Sequence, residues 1–111
     1  MSAVTTHVLD AVLGRPAAGI SVRLERYAEN VVEVVAEART DDDGRVRDLG
    51  PDHVDAGTYR IVFETGAWFQ AAGRSTFYPE VTVTFSVTGE QPHFHVPLLL
   101  SPYAYSTYRG S

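Results

Sequence analysis

Apolar and polar residues alternate with a period of two along much of the chain. In "VTVTFSVT" (81–88) valine and phenylalanine alternate with threonine and serine, and "ISVRLERY" (20–27) and "TYRIVFET" (58–65) keep the same alternation. Successive side chains of a strand point to opposite faces, so this period is typical of strands with one buried face. Turn-forming stretches such as "GRPAAG", "DDDG" and "TGEQP" separate the segments. The spacing predicts an antiparallel β-sandwich, with residues 1–111 as a single domain.

One segment does not follow this alternation. In "TGAWFQAAG" (65–73) Trp68, Phe69 and Ala72 have helical spacing. Thr65 is a residue type that caps helix N-termini, and Gly73 is one that ends helices. The predicted fold class is therefore all-β with one short helix.

The last two predicted strands have an unusual outward face. "HFHVPLLL" (93–100) and "YAYSTYRG" (103–110) are separated only by "SP" and are expected to pair as a hairpin. One face of the first strand is wholly apolar and is assigned to the core. The opposite face carries His93, His95, Pro97 and Leu99, a mixture of imidazole and apolar groups. Such a face either meets solvent with scattered histidines or packs against a second subunit and lines a pocket there, and we favour the second interpretation.

Composition narrows the class of protein. The formal net charge of −5, with 9 Lys and Arg, argues against a nucleic-acid surface, which needs a basic patch. There is no cysteine, so neither a disulfide framework nor thiol chemistry is expected. The N-terminal "MSAVTTHVLD" lacks the basic and apolar regions of a signal peptide, and no apolar run is long enough to cross a bilayer. We expect a cytoplasmic protein.

Three blocks of the sequence resemble the transthyretin-related family. They are "THVLDAVLGRPAAG", "DDDGR" and "HFHVPLLLSPYAYSTYRGS", which occur in the family's order and span nearly the whole chain. The closing "YRGS" resembles the hydrolase branch of the family rather than transthyretin proper. The resemblance implies a transthyretin-like sandwich assembled as a homotetramer, with active sites between subunits. The implied activity is hydrolysis of 5-hydroxyisourate to 2-oxo-4-hydroxy-4-carboxy-5-ureidoimidazoline in urate breakdown, without a metal or other cofactor.

The resemblance also implies the site residues. His7 of "THVLD", Arg45 of "DDDGR", His95 of "HFH" and the final Ser111 correspond to catalytic positions, and His7, Arg45 and Tyr108 to substrate-binding positions. These residue types suit the chemistry. Histidine exchanges protons near neutral pH, so one imidazole can activate water while the other orients it or protonates the leaving nitrogen. Arginine offers a planar fork of donors for oxygen atoms. Which histidine is the base stays open, and His93 is expected to be structural or exposed.

Two alternatives stay open, a zinc site as a different mechanism and a carrier as a different function. His93 and His95 lie on one strand face, and His7 could add a third nitrogen, as in catalytic zinc sites. A family resemblance also allows a carrier that binds a small molecule in the channel between subunits. A secreted carrier would need a signal peptide, and it would not need two histidines and an arginine in its channel. Those polar residues therefore favour the hydrolase. Fold class alone does not separate them.

Overall fold

Two β-sheets and one short helix make up the protein in the computed structural model, which describes residues 2–111. The elements in chain order are β1 (Val4–Asp10), β2 (Arg15–Pro16), β3 (Ser21–Ala28), β4 (Val31–Arg39), β5 (Arg45–Val46), β6 (Gly57–Phe63), α1 (Thr65–Ala71), β7 (Val81–Val87), β8 (Phe94–Ser101) and β9 (Ala104–Thr107). The first sheet has the order β2-β1-β8-β9, with β5 also paired to β1, and the second has the order β4-β3-β6-β7. The predicted all-β class with one short helix is confirmed.

The alternating apolar positions face each other between the sheets. Ile61, Leu24 and Leu98 are 0% exposed, and Phe94, Val96 and Leu100 of the predicted core face are also buried. The core therefore forms where the period of two placed it, since each strand contributes every second side chain.

One strand pair departs from the antiparallel pattern. β1 and β8 run parallel, with Val4 opposite Phe94 and Asp10 opposite Leu100. The two strands are separated by most of the chain, so no hairpin turn forces them to be antiparallel. The pairing places the polar residues near the two ends of the chain side by side, as Thr5 lies opposite His95 and His7 opposite Pro97.

The predicted hairpin at the end of the chain is present. β8 and β9 pair antiparallel from Ser101–Ala104 to Leu98–Thr107, around a turn at Pro102 and Tyr103. Within residues 2–111, β9 has no strand partner besides β8, and all four of its residues are exposed.

The helix begins differently from the prediction. Glu64 occupies the N-cap position without a side-chain capping bond, and Thr65 is the first helical residue. The prediction of Thr65 as the cap is therefore wrong; its side chain is fully buried and its hydroxyl has no hydrogen-bond partner among residues 2–111. Gly73 does end the helix, at φ +69°. The N–H of Gly73 donates to Gln70 and that of Arg74 to Phe69, the two bonds of a Schellman motif.

Candidate active site

Arg45 is held by the turn that precedes it. The Asp41 carboxylate accepts the backbone N–H of Asp43 and of Arg45, each at 2.9 Å. Gly44 adopts φ +75°, and a Cβ there would lie 2.4 Å from the carbonyl oxygen of Val8. Because only glycine combines that φ with so close an approach, the "DDDGR" sequence fixes the turn against β1. Arg45 then enters β5 directly opposite a histidine of β1.

That histidine is His7, and its ring anchors the same turn. His7 Nε2 lies 2.9 Å from the carbonyl oxygen of Asp43. A carbonyl only accepts, so His7 Nε2 carries a proton and donates it there. The nitrogen of His7 that remains for chemistry is Nδ1. His7 pairs with Arg45 across β1 and β5 and with Pro97 across β1 and β8.

Pro97 explains why β9 stops where it does. β9 ends at Thr107, opposite Leu98, and the pairing resumes only at an isolated bridge between His95 and Gly110. Proline has no N–H to donate across this interval. The Pro97 carbonyl instead accepts the hydroxyl of Thr107 at 2.7 Å. The chain therefore separates from β8 at Tyr108 and returns to it at Gly110.

The return at Gly110 covers the ring of His95. The Gly110 N–H donates to the His95 carbonyl at 2.9 Å. A Cβ at Gly110 would lie 2.5 Å from His95 Cδ2 and 3.1 Å from Cγ, closer than side chains tolerate. The absence of a side chain at this position allows the backbone to lie against the imidazole.

Three of the expected site residues line one cavity. We call it the Arg45 cavity; it has a volume of about 170 Å³ and is lined by Arg45, His95 and Ser111 together with Thr5, His93 and Arg47, among others. Arg45 and His95 are half-buried, and Ser111 is exposed. A guanidinium, an imidazole and a hydroxyl thus meet at one concave surface.

The environment of His95 keeps its imidazole neutral. Burial lowers the pKa of His95 below its ordinary value of 6.5, and the charges of Arg45, His93 and His7 lower it further, while a hydrogen bond with the Thr5 backbone acts in the opposite direction. A neutral ring at pH 7 has one nitrogen with a free lone pair. His95 can therefore accept a proton from a water molecule.

Tyr108 is not among the residues that line the Arg45 cavity. It lines a neighbouring cavity of about 320 Å³ with Arg109, Val83 and Phe85, and His95 lines both cavities. The Tyr108 side chain is 60% exposed. His7 lines neither cavity in the chain by itself, although its charge affects His95. The structure thus brings together Arg45, His95 and Ser111, whereas Tyr108 lines the neighbouring cavity and His7 lines neither.

Two site residues were missed by the sequence reasoning. The Thr5 hydroxyl lies 2.9 Å from His93 Nε2 and 2.8 Å from His95 Nδ1. The two imidazole rings are 6.4 Å apart and nearly parallel. Thr5 shares the parity of His7 on β1, which was the available signal, but parity does not reveal that β1 and β8 are neighbours. His93 is part of the cavity wall rather than a separate structural residue.

The zinc alternative required three imidazoles around one point. Among residues 2–111, no group of three or more His, Asp or Glu side chains is arranged to hold a metal ion. In the described part of the chain, the side-chain hydrogen bonds of His93 and His95 are those with the Thr5 hydroxyl.

No helix in the described part of the chain, residues 2–111, is long and apolar enough to cross a membrane.

Comparison with known proteins defines the class. Residues 4–110 match the HIUase/Transthyretin family. The chain is 45% identical over 115 residues to the 5-hydroxyisourate hydrolase of Caulobacter vibrioides, and the match covers 100% of both. Its structure matches 5-hydroxyisourate hydrolase of Klebsiella pneumoniae with a TM-score of 0.89 and 40% identity over 100% of both chains. It matches transthyretin from Sparus aurata with a TM-score of 0.92 and 28% identity, over 99% of this chain and 97% of that one.

The chain belongs to the HIUase/Transthyretin family. Its full-length similarity to several proteins named as hydrolases identifies it as an enzyme of the hydrolase branch.

Proposed function

We propose that this enzyme hydrolyses 5-hydroxyisourate to 2-oxo-4-hydroxy-4-carboxy-5-ureidoimidazoline, a step of urate breakdown. The observation that carries the proposal is the Arg45 cavity, which a guanidinium and an imidazole of lowered pKa line together. The hydrolase names of full-length relatives support the substrate.

The mechanism assigned to His95 is general-base catalysis. The His95 imidazole takes a proton from water as the water oxygen forms a bond to the lactam carbonyl carbon. The carbonyl becomes an oxyanion, and Arg45 donates hydrogen bonds to it. The carbon–nitrogen bond of the ring then breaks, and the proton held by the imidazole passes to the leaving nitrogen. The lowered pKa of His95 supports its role as the base.

The remaining expected residues take supporting roles in this proposal. His7 donates from Nε2 to the Asp43 carbonyl and so steadies the turn that precedes Arg45, which leaves its Nδ1 free of that bond to contact the substrate in the assembly. Ser111 offers a hydroxyl in the Arg45 cavity, and Tyr108 binds a substrate oxygen from the neighbouring cavity. His95 lines both the Arg45 cavity and the neighbouring cavity, so it lies between Ser111 and Tyr108 in this proposal.

We propose further that the active assembly is a homotetramer with sites at the subunit interfaces. The Arg45 cavity, at about 170 Å³, is smaller than the roughly 300–1,000 Å³ of ligand pockets, and a second copy would enlarge and close it. The outer edge of β9, at the end of its sheet, and the exposed rings of Tyr103, Tyr105 and Tyr108 supply a surface for that copy. The cytoplasmic location stays a prediction from the sequence.

The test is the decay of freshly made 5-hydroxyisourate. Urate and urate oxidase generate the substrate in a cuvette, and its absorbance is followed with and without the protein, before and after chelator treatment. We expect the protein to accelerate the decay well above the spontaneous rate both before and after chelator treatment. Decay at the spontaneous rate would contradict the proposal and favour a carrier that binds small molecules in the channel. Activity lost on chelation and restored by zinc would contradict the metal-free mechanism.

A further inference from the structure

The Thr5 hydroxyl is placed between two imidazole nitrogens. It lies 2.9 Å from His93 Nε2 and 2.8 Å from His95 Nδ1, both hydrogen-bond distances. Thr5 is 6% exposed, so little water competes for these bonds. The backbone register explains the arrangement, because Thr5 pairs with His95 across the parallel strands β1 and β8.

Proton counting couples the two rings. A hydroxyl has one proton to donate and lone pairs to accept with, and a neutral imidazole has one N–H and one bare nitrogen. Thr5 therefore cannot donate to both rings at once. When it donates to His93 Nε2, it must accept from His95 Nδ1–H, and the bare nitrogen of His95 is then Nε2. When Thr5 instead donates to His95 Nδ1, the proton of the neutral His95 ring lies on Nε2.

The ring of His95 is held at two sides. Thr5 occupies the Nδ1 side, and the Gly110 backbone covers the Cδ2 side, where a Cβ would approach to 2.5 Å. Nε2 lies across the ring from Nδ1 and points away from Thr5. This is the nitrogen that is available to a water molecule or substrate.

The surrounding charge favours an unprotonated ring. The charges of Arg45 from β5, of His93 just before β8 and of His7 from β1 all act on His95, and Arg47 lines the same cavity. A neutral ring needs a fixed tautomer in order to present a lone pair at Nε2, because an imidazole in water otherwise prefers its proton on that nitrogen. A hydrogen-bond acceptor at Nδ1 supplies this preference.

We propose that Thr5 is a positioning residue that holds the proton of His95 on Nδ1, with His93 as the acceptor that orients the Thr5 hydroxyl. The chain of hydrogen bonds runs from His95 Nδ1–H to Thr5 Oγ1 and from the Thr5 hydroxyl to His93 Nε2. Its effect is to leave the lone pair of His95 on Nε2, toward the substrate. The role of this arrangement in catalysis rests on the proposed function, but the tautomer of His95 does not depend on any substrate.

The test is the tautomer of His95 in the free enzyme, read from ¹⁵N chemical shifts and long-range ¹H–¹⁵N couplings at about pH 8. We expect the wild-type ring to carry its proton on Nδ1. Thr5→Val, which keeps the shape of the side chain but removes the hydroxyl, should shift the ring toward the Nε2–H tautomer, and Thr5→Ser should restore the wild-type pattern. Thr76→Val is the matched control, because it removes a comparable hydroxyl, which donates to the Pro102 carbonyl at 2.7 Å.

Kinetics add a second readout. With 5-hydroxyisourate as substrate, Thr5→Val should lower kcat by about 10- to 100-fold, a part of the roughly 10²–10⁴-fold that general-base catalysis supplies, and Thr5→Ser should recover most of it. A wild-type ring protonated on Nε2, or an unchanged tautomer in Thr5→Val, would overturn the inference even if the enzyme is active. If the wild type fails to accelerate decay while the tautomer shifts as expected, the proposed function is wrong and the positioning role stands.

Discussion

Gly110 shows at the scale of one residue how the end of the chain shapes the site. Its backbone lies so close to the His95 imidazole that a side chain at this position would clash with the ring, and its N–H donates to the His95 carbonyl. The sequence identified the closing "YRGS" block as distinctive, but not why it contains glycine. The reason is steric contact with a residue on another strand, which a period of two does not encode.

Gly110→Ala should displace either the His95 ring or the segment that follows Tyr108. Because displacement of a catalytic group by about 1 Å can cost about 10²-fold, we expect kcat/KM for 5-hydroxyisourate to fall by at least about 10-fold. The measurement is steady-state kinetics together with the Tm. Gly89→Ala is the control, since a Cβ at Gly89 meets no atom within 4 Å and its φ is not positive. Equal losses in both variants would show that the contact with His95 does not matter.

Parity of side chains predicted some of the site residues and not others. His93 and His95 share a face of the predicted strand 93–100, and the structure places both at the Arg45 cavity. The link through Thr5 could not be predicted, because alternation tells which face a residue occupies and not which strand lies next to it. Arg45 was expected in a turn, and the structure adds the carboxylate of Asp41 that holds the turn.

At the scale of elements, Glu25 on β3 is the clearest departure from the sequence pattern. Alternation places it on the outward face, yet it is only 6% exposed. Arg23 donates to one carboxylate oxygen at 2.7 Å and Arg60 to the other at 2.5 Å. Burial by itself raises the pKa of Glu25, but the hydrogen bonds and charges of Arg23 and Arg60 more than offset it, so its pKa lies below the ordinary 4.5.

Glu25→Gln should destabilise the protein at neutral pH and remove part of its acid sensitivity. A carboxyl group whose pKa is lower in the folded than in the unfolded protein stabilises the fold at pH values above its unfolded-state pKa, which is near 4.5. This stabilisation is lost as the pH falls through the folded-state pKa. Hydrogen bonds to charged groups are worth about 1.5–3 kcal/mol, so we expect a loss of about that size at pH 7 and a smaller difference at pH 3. Urea unfolding at pH 7 and at pH 3 measures the free energies of unfolding of the wild type and of Glu25→Gln.

The exposed Glu33 on the adjacent strand β4 provides the comparison for Glu25. Glu33→Gln removes a carboxylate of the same type where solvent already hydrates it, so its effect should stay within about 0.5 kcal/mol. A difference between wild type and Glu25→Gln that does not shrink between pH 7 and pH 3 would contradict the assignment.

The helix and the parallel pair mark the limits of prediction for elements. The segment 65–73 was correctly predicted as a helix because its apolar spacing changes, and Gly73 ends it as expected. The N-cap was misassigned by one residue, because burial of Thr65 against the core outweighs its capping propensity. The parallel pairing of β1 and β8 depends on contacts between the two ends of the chain, which local patterns do not contain.

At the scale of the whole molecule, alternation predicted the two-sheet architecture, and the resemblance predicted the family. Both are confirmed by the sheets and by the match over residues 4–110. The single-domain assignment and the homotetramer stay predictions. In the chain by itself the Arg45 cavity is small, Tyr108 lines the neighbouring cavity, and His7 lines neither. We expect the assembly to bring these groups around one substrate.

The measurement that tests the account most directly is the initial rate of 5-hydroxyisourate decay with wild type, Arg45→Ala and Arg39→Ala. Arg39 is an exposed arginine outside both site cavities and controls for loss of a positive charge. Removing an oxyanion donor costs about 2.7–4 kcal/mol, so Arg45→Ala should lose about 10²–10³ in rate while Arg39→Ala keeps the wild-type rate. A wild-type rate in a folded Arg45→Ala variant would contradict the claim that this cavity is where the ring is opened.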